Sequence, residues 1–390
     1  RKLCKFEHAL KDSNKNIPLS LYVHIPWCEK KCPYCDFNSH KTSGELPEEV
    51  YINEILYDLE ISYSKIKQRE VKTVFFGGGT PSLFSAKSLG RFLEGASKIV
   101  SFASDAEFTI EANPSSAEEK KFFEFRSIGL NRLSIGVQSL NDSKLKALGR
   151  LHGRKEALLA AHTARKAGFD NLNLDLMYAL PEQTIKEAEH DLKEIISLGP
   201  DHISWYQLTI EPNTFFYSKR PKLPSNDDAG EMMDMGLDIL NANRFHQYEV
   251  SAFSDLNKEC KHNMNYWTFG DYLGIGAGAH TKITKSDGKI ERLIKKKSPK
   301  SYINEKDKIS SSRILSNKEL SIEFMLNALR LTNGVSLNLY QERTGQDVEN
   351  IKDKLNYAKN ENLLENNNFT LKPTTLGYRY LNNLLEIFEP

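Results

Sequence analysis

The chain has 390 residues, of which 39% are hydrophobic and 27% are charged, and its 53 basic and 52 acidic residues leave a net charge of +1. This balance argues against a general polyanion-binding surface, so we expect no nucleic-acid partner. No apolar stretch approaches the roughly 20 residues that cross a bilayer, and residues 1–17 are polar and charged rather than a signal sequence, which predicts a cytoplasmic location.

Six short runs of β-branched and aromatic residues alternate with helix-period segments, the first of them a predicted helix at 47–64. The alternation predicts parallel strands joined by right-handed crossovers. Functional side chains lie at or just beyond the carboxyl end of nearly every run, which favours the mouth of a barrel over the single switch point of a doubly wound sheet. We therefore predict an α/β fold, an incomplete (βα)6 TIM-like barrel, with strands at residues 21–25, 73–76, 107–110, 132–137, 172–177 and 202–208.

The alternation weakens after the sixth strand. A helix at 231–241 and a strand at 248–253 precede a glycine-rich segment at 274–279, which formally fits a dinucleotide-binding fingerprint. Because no helix is predicted to follow these glycines, we expect close backbone packing rather than a nicotinamide or flavin site. Residues 281–313 are rich in lysine and serine and poor in apolar residues, so they predict a surface linker.

A second unit begins at Ser316 and is predicted to be mainly helical. It resembles a winged helix, with helices at 318–331, 337–344 and 348–359, a hairpin at 363–371 and a last helix from Thr374. The predicted divisions of the whole chain are an N-terminal tail at 1–17, the partial barrel at 18–255, a connecting region at 256–315 and the C-terminal domain at 316–390.

Five cysteines in a chain of this length are too few for a disulfide scaffold, and three of them form a C-x3-C-x2-C run at Cys28, Cys32 and Cys35. Clustered thiolates select an iron–sulfur cluster or zinc. Structural zinc demands four ligands, and the nearest further candidates, His24 and His40, do not fit a zinc-finger spacing. We therefore predict a four-iron cluster with one iron left open for a ligand; zinc and unliganded thiols are the alternatives.

The cysteine run and the segments around it resemble one known superfamily. Residues 22–28, followed by Gly77-Gly78-Gly79-Thr80-Pro81, resemble the radical S-adenosylmethionine (SAM) superfamily, in its oxygen-independent coproporphyrinogen oxidase-like branch. The resemblance continues through residues 110–114, 134–139 and 149–152 to Asp175 and the C-terminal unit. It implies a [4Fe-4S] cluster, S-adenosylmethionine as cofactor, reductive cleavage of that cofactor, and an electron donor such as a flavodoxin or a ferredoxin.

The resemblance also implies which side chains bind S-adenosylmethionine. The guanidinium of Arg150 suits the carboxylate of the nucleotide, whereas Glu111, Gln138 and Asp175 suit its ammonium and ribose hydroxyls. For each of these side chains taken alone, a structural salt bridge is the alternative. The full implied set is Tyr22, Tyr34, Gly78, Gly79, Thr80, Glu111, Gln138, Arg150 and Asp175.

Two departures from the oxidase pattern argue against decarboxylase activity. The oxidases resemble this chain but carry a fourth cysteine in a Cys-x-Cys ending, whereas here Cys35 is followed by Asp36 and Phe37. They also have a longer N-terminal arm than the stretch that precedes the first predicted strand here. These departures leave open whether the protein is an enzyme. If it is one, the resemblance implies a coproporphyrinogen dehydrogenase.

A second motif favours a carrier over an oxidase. His262-Asn263-Met264-Asn265-Tyr266-Trp267 resembles the signature of the HemW haem chaperone subgroup of the same branch. An imidazole can ligate haem iron and aromatic rings offer flat surface to a porphyrin, so His262 is the implied haem contact. A core histidine among buried aromatics is the alternative, and Cys260 is a second candidate ligand. The implied cargo is haem; the implied partners are haem-accepting proteins, some of them membrane-associated, and a homodimer is a further possibility.

Overall fold

The computed structural model describes residues 17–66, 68–115 and 120–389. The predicted N-terminal tail, apart from Ile17, lies outside the described residues. The central strands are buried along almost their whole length, as expected for parallel strands covered on both faces. The strands are β1 Leu19–Ile25, β2 Trp27–Cys28, β3 His40–Lys41, β4 Val71–Gly78, β5 Phe102–Ala112, β6 Arg132–Gln138, β7 Leu172–Tyr178, β8 His202–Gln207, β9 His246–Glu249, β10 Ala252–Ser254, β11 Asp271–Ile275, β12 His280–Thr284, β13 Ile290–Lys295, β14 Ile309–Ile314, β15 Val335–Ser336 and β16 Thr370–Leu371.

Several helices begin at a hydroxyl side chain that caps the first turn. Ser85, Thr184 and Ser225 each accept a hydrogen bond from a backbone N–H that would otherwise lack a partner. None of the helices in the described ranges combines the length and the hydropathy needed to cross a membrane. The helices are α1 Glu48–Ser62, α2 Ala86–Ser97, α3 Phe122–Ser127, α4 Asp142–Ala147, α5 Arg154–Lys166, α6 Ile185–Ser197, α7 Phe215–Ser218, α8 Asn226–Ala242, α9 Lys261–Trp267, α10 Pro299–Asn304, α11 Asn317–Ala328, α12 Leu337–Thr344, α13 Lys352–Asn360, α14 Thr375–Arg379 and α15 Leu381–Glu386, with 3-10 turns at Tyr63–Lys65, Pro81–Leu83 and Val348–Ile351.

The main sheet has the strand order β14-β13-β12-β11-β1-β4-β5-β6-β7-β8-β10-β9. Neighbours are parallel from β1 through β4, β5, β6 and β7 to β8. These are the six predicted strands, and the predicted α/β partial-barrel fold is confirmed. The single strand predicted at 248–253 is instead two short strands, β9 and β10, which pair antiparallel with each other beside β8.

The prediction of a surface linker at 281–313 is wrong. Strands β12, β13 and β14 follow β11 as an antiparallel extension of the main sheet. The composition is misleading because ion pairs admit lysine to the interior, and all three partner carboxylates lie outside residues 281–313. The buried pairs are Lys282 with Asp271 at 3.1 Å, Lys308 with Glu54 at 2.6 Å, and Lys295 with Asp58.

The C-terminal helices enclose a second hydrophobic core. Phe269 and Ile290 from the region of the main-sheet extension also belong to this core, so the helical unit packs against the end of the sheet. The hairpin predicted at 363–371 is only partly correct. Leu364 forms a bridge with Pro373, but β16 pairs with β15, the strand that precedes α12.

Candidate functional site

The carboxyl ends of the parallel strands surround a cavity of about 530 Å³, which we call the first cavity. Its walls come from the loop after β2, the glycine run that ends β4, and the ends of β5, β6, β7 and β8. Parallel strands bring these ends to one edge of the sheet. With the exception of Tyr22, all the predicted cluster ligands and nucleotide contacts line this cavity: Cys28, Cys32, Tyr34, Cys35, Gly78, Gly79, Thr80, Glu111, Gln138, Arg150 and Asp175.

Backbone hydrogen bonds close the cysteine loop. The carbonyl oxygen of Cys28 accepts a bond from the N–H of Thr42 at 2.8 Å, and that of Cys32 accepts one from the N–H of Cys35 at 3.2 Å. The three thiols are half-buried and belong to no disulfide. Burial raises the pKa of Cys28 and of Cys35, so a metal that binds there must displace thiol protons.

The three thiols suit a cluster better than a single ion. Within the described ranges, no three His, Cys, Asp or Glu side chains converge closely enough to hold one metal ion. A cluster does not require that convergence, because each thiolate binds a different iron. The ring nitrogens of His24, one candidate for a fourth zinc ligand, are already engaged: Nδ1 lies 3.0 Å from the hydroxyl of Tyr22, and Nε2 lies 2.9 Å from the carbonyl oxygen of Asn38.

The glycine run is fixed by its packing against the end of β1. Gly78 has a φ of +116°, a left-handed conformation that favours glycine, and a Cβ there would lie 2.5 Å from the imidazole of His24. A Cβ on Gly79 would lie 2.4 Å from the carbonyl oxygen of Trp27. Both glycines also line the first cavity, so the same residues that allow this packing place backbone rather than side chain in its wall.

Arg150 links the cysteine loop to the strand ends. Its guanidinium donates to Asn113 Oδ1 at 2.5 Å and to the carbonyl oxygen of Gly136 at 2.8 Å, and it lies 3.7 Å from the sulfur of Cys32. Asn113 in turn donates to the hydroxyl of Thr80 at 2.9 Å. The buried Nε of Arg150 has no hydrogen-bond partner among the described residues. A fixed cation with a spare donor is suited to an anionic ligand group.

Two carboxylates face the same cavity. Glu111 accepts a hydrogen bond from the N–H of Gly78 at 3.2 Å, and Asp175 accepts one from Asn173 at 2.7 Å. Burial, reinforced by the negative charge of Asp175, raises the pKa of Glu111 to about 8, and burial also raises the pKa of Asp175. Two desolvated carboxylates side by side favour a ligand that carries positive charge.

Backbone strain directs Gln138 into the first cavity. A register shift between Gly136 and Gln138 marks a bulge in β6, and Gln138 has a φ of +69°. The hydroxyl of Tyr206 donates to Gln138 Oε1 at 2.7 Å. The sequence did not identify Tyr206 or Asn113 as site residues. Their positions at or just after predicted strand ends were the available signal.

A second cavity, of about 490 Å³, adjoins the first and shares Asp36, Phe37, Gly78 and Glu111 with it. Tyr22, the remaining predicted nucleotide contact, lines this second cavity. Its lining combines aromatic side chains with two histidines, three cations and two carboxylates: Phe37, Tyr266, Trp267, Phe269 and Tyr272, with His24 and His280, with Lys282, Arg292 and Lys297, and with Asp36 and Glu111.

The structure does not place His262 in the lining of either cavity. The residue is 1% exposed, its Nδ1 lies 2.7 Å from the hydroxyl of Thr73, and its Nε2 lies 3.0 Å from the hydroxyl of Tyr266. The ring also stacks on Phe75. Burial lowers its pKa to about 3. In this arrangement both ring nitrogens are engaged. His262 therefore positions Tyr266 at the second cavity and does not itself face that cavity. Cys260 is likewise buried, with a pKa raised to about 12.

Comparisons with known proteins show which family the chain resembles. The sequence profile of the Radical SAM superfamily matches residues 22–195, and that of the HemN C-terminal domain matches residues 315–380. A protein of Escherichia coli K12 named heme chaperone HemW is 44% identical over 371 residues, which cover 95% of this chain and 98% of that protein. The chain belongs to the HemW family of radical SAM proteins.

Other relatives support the assignment to this family. The HemW protein of Haemophilus influenzae is 43% identical over 95% of this chain and 98% of its own length, and that of Bacillus subtilis is 35% identical over 85% and 88%. The solved structure of the coproporphyrinogen III oxidase HemN from Escherichia coli, described as a radical SAM enzyme, matches with a TM-score of 0.82. It covers 98% of this chain and 92% of that chain at 22% identity, which shows a shared fold.

Proposed function

We propose that this protein is a haem chaperone, which binds haem and delivers it to haem-requiring proteins. The observation that carries the proposal is the match to the relative named heme chaperone HemW, at 44% identity through 95% of the chain. The geometry supports it, because a cavity lined by aromatic and cationic side chains adjoins the first cavity. A porphyrin binds against flat apolar surface, and its propionates bind positive charge.

The first cavity, in this proposal, holds a [4Fe-4S] cluster on Cys28, Cys32 and Cys35, with S-adenosylmethionine beside it. Support comes from the three thiols, the glycine backbone and the fixed guanidinium that line the same cavity, and from the pair of desolvated carboxylates. When bound, the cluster and the nucleotide supply one-electron reductive chemistry, for which a flavodoxin or a ferredoxin is the proposed donor.

The side chains of the first cavity have distinct roles in holding the nucleotide. Arg150 binds its carboxylate, and Glu111 and Asp175 bind its ammonium and ribose hydroxyls. Tyr34, which lies beside Phe216, encloses the adenine side and helps to exclude water. Gln138, Thr80 and the glycines Gly78 and Gly79 complete the proposed contacts, with Tyr22 behind them.

Decarboxylation of coproporphyrinogen III is the competing activity. The oxidase pattern requires a Cys-x-Cys ending, and here Asp36 and Phe37 follow Cys35. The likeness to HemN stands at 22% identity and concerns the fold. We therefore propose a carrier, whose recipients are haem-requiring proteins that include membrane-bound ones.

One anaerobic experiment separates carrier from oxidase. The untagged protein is reconstituted with iron and sulfide, and one portion is titrated with haem while another receives coproporphyrinogen III, S-adenosylmethionine and a reductant. Saturable haem binding at one equivalent, transfer of that haem to an apo-haemoprotein, and no protoporphyrinogen support the chaperone. Turnover to protoporphyrinogen, or the absence of haem binding, would refute it.

The cluster assignment has its own test. Cys32→Ala is expected to lose the broad iron–sulfur absorbance at about 400 nm after reconstitution. Cys260→Ala is the matched control, because Cys260 is buried outside both cavities. Full iron and sulfide content in the Cys32 variant would contradict the assignment.

A further inference from the structure

The second cavity contains a histidine whose ring is free to bind a metal. His280 is the first residue of β12 and is exposed to the cavity. No side-chain hydrogen bond joins its ring to another residue in the described ranges, whereas both ring nitrogens of His24, the other histidine in the lining, have partners. Iron ligation requires an imidazole nitrogen with an available lone pair.

The aromatic rings beside His280 form a wall of fixed orientation. Tyr266 and Tyr272 meet edge to face with ring centroids 4.5 Å apart. The hydrogen bond from Tyr266 to His262 holds the first of these rings. Phe37, on the cysteine loop, is 60% exposed at the same cavity and offers further apolar surface. A flat macrocycle that enters here therefore meets rings that are already in place.

The cavity also provides positive charge. Lys297 is exposed, and its ammonium has no ion-pair partner among the described residues, so it is available to a carboxylate. Arg292 lies 2.7 Å from Glu323 and over the ring of Tyr272 at 5.7 Å, which leaves it partly neutralised. One free cation at the rim suits an anionic group on the edge of a ligand.

We propose that the second cavity is the haem-binding site, with His280 as the axial ligand of the iron and Lys297 as the partner of a haem propionate. This inference rests on the proposed chaperone function and specifies its site. Burial, together with the positive charges of Arg292 and Lys297, lowers the pKa of His280, which favours the neutral imidazole that binds iron. In this assignment the motif histidine, His262, positions an aromatic wall and does not touch iron.

The test uses the untagged full-length protein, titrated with ferric haem and followed by Soret absorbance and electron paramagnetic resonance. His280→Ala is expected to weaken haem binding by about tenfold or more and to abolish the histidine-ligated spectrum, which added imidazole restores. His190→Ala is the matched control, because His190 is an exposed histidine outside both cavities, and it is expected to bind as the wild type does.

The propionate contact is tested by charge reversal. Lys297→Glu is expected to weaken haem binding by about threefold while leaving the affinity for haem dimethyl ester unchanged. Lys300→Glu, at an exposed lysine outside the second cavity, is expected to change neither affinity. Equal effects on haem and on its ester would overturn the propionate contact.

The outcomes separate this site from the chaperone function. Haem binding by the wild type with an unchanged His280→Ala spectrum would overturn the site and leave the function standing. Loss of the ligated spectrum in His262→Ala, with His280→Ala unaffected, would overturn it in favour of the motif histidine. A wild-type protein that binds no haem would overturn the function and the site together.

Discussion

The pKa of Glu111 gives a quantitative prediction for S-adenosylmethionine binding. In the free protein that pKa is about 8, because the carboxyl is buried and faces Asp175. A cationic ligand binds the ionised form, so its binding releases a proton and its affinity rises with pH. The apparent Kd then scales as 1 + 10^(8 − pH), which falls by about ninefold, or about 1.3 kcal/mol, between pH 6 and pH 7.

Isothermal titration calorimetry under anaerobic conditions measures both the affinity for S-adenosylmethionine and the number of protons released on binding. Affinity is determined at pH 6.0, 6.5 and 7.0, below the range in which the amino group of the ligand itself titrates. Repeating the pH 7 titration in buffers of different ionisation enthalpy should show about 0.9 protons released per ligand. Glu111→Gln keeps the shape of the side chain and removes its charge, so it should bind more weakly and with a nearly flat pH profile.

A second variant tests the physical cause of the raised pKa. Asp175→Asn removes the neighbouring negative charge, so it should lower the pKa of Glu111 and move the rise in affinity to lower pH. A wild-type affinity that is constant from pH 6 to pH 7, or a Glu111→Gln variant that retains the full pH dependence, would refute the assignment of this proton to Glu111.

Urea unfolding tests two further predictions about stability. Gly79→Ala places a methyl group 2.4 Å from a backbone carbonyl oxygen and should destabilise the fold by about 1–3 kcal/mol, whereas Gly230→Ala, which meets no atom within 4 Å in α8, should be neutral or stabilising. Lys295→Met leaves the buried Asp58 without its cation and should cost about 3–5 kcal/mol, whereas Lys98→Met, at an exposed pair, should change the free energy of unfolding by less than about 1 kcal/mol. Equal losses within either pair of variants would contradict the packing or the ion-pair argument.

The sequence predicted the strands and their ends because periodicity and strand-end chemistry are local properties. Asp175 and Glu111 are distant in sequence, yet each lies at or beyond the midpoint of a parallel strand, so their approach was predictable from topology alone. The buried lysines of β12 and β13 were not predictable in this way. Lys282 and Lys295 depend on Asp271 and Asp58, and nothing in the local composition identifies those partners.

His262 shows a different limit of sequence reasoning. A motif identifies which side chains act together, and Tyr266 does line the second cavity. It does not show which member faces the ligand. The hydroxyl of Thr73, from β4, lies 2.7 Å from Nδ1 of His262, and Tyr266 lies near the other ring nitrogen, so three-dimensional context alone reveals that this imidazole is engaged. His280 carried no motif signal at all.

Asn38 connects the cysteine loop, which lines the first cavity, to the wall of the second cavity. The side-chain amide of Asn38 donates to the carbonyl oxygens of Ala277 and Lys297, each at 2.9 Å. The backbone carbonyl oxygen of Asn38 lies 2.9 Å from Nε2 of His24. A Cβ on Gly278 would lie 2.3 Å from that amide, so the glycine-rich segment is shaped to receive it. The segment's glycines therefore serve backbone packing, and the strand β12 that follows them excludes the helix of a dinucleotide-binding turn. Asn38 thus fixes the cysteine loop to the edge of the second cavity, and Asp36 and Phe37 of the same loop line both cavities, so one loop shapes the cluster site and its neighbour together.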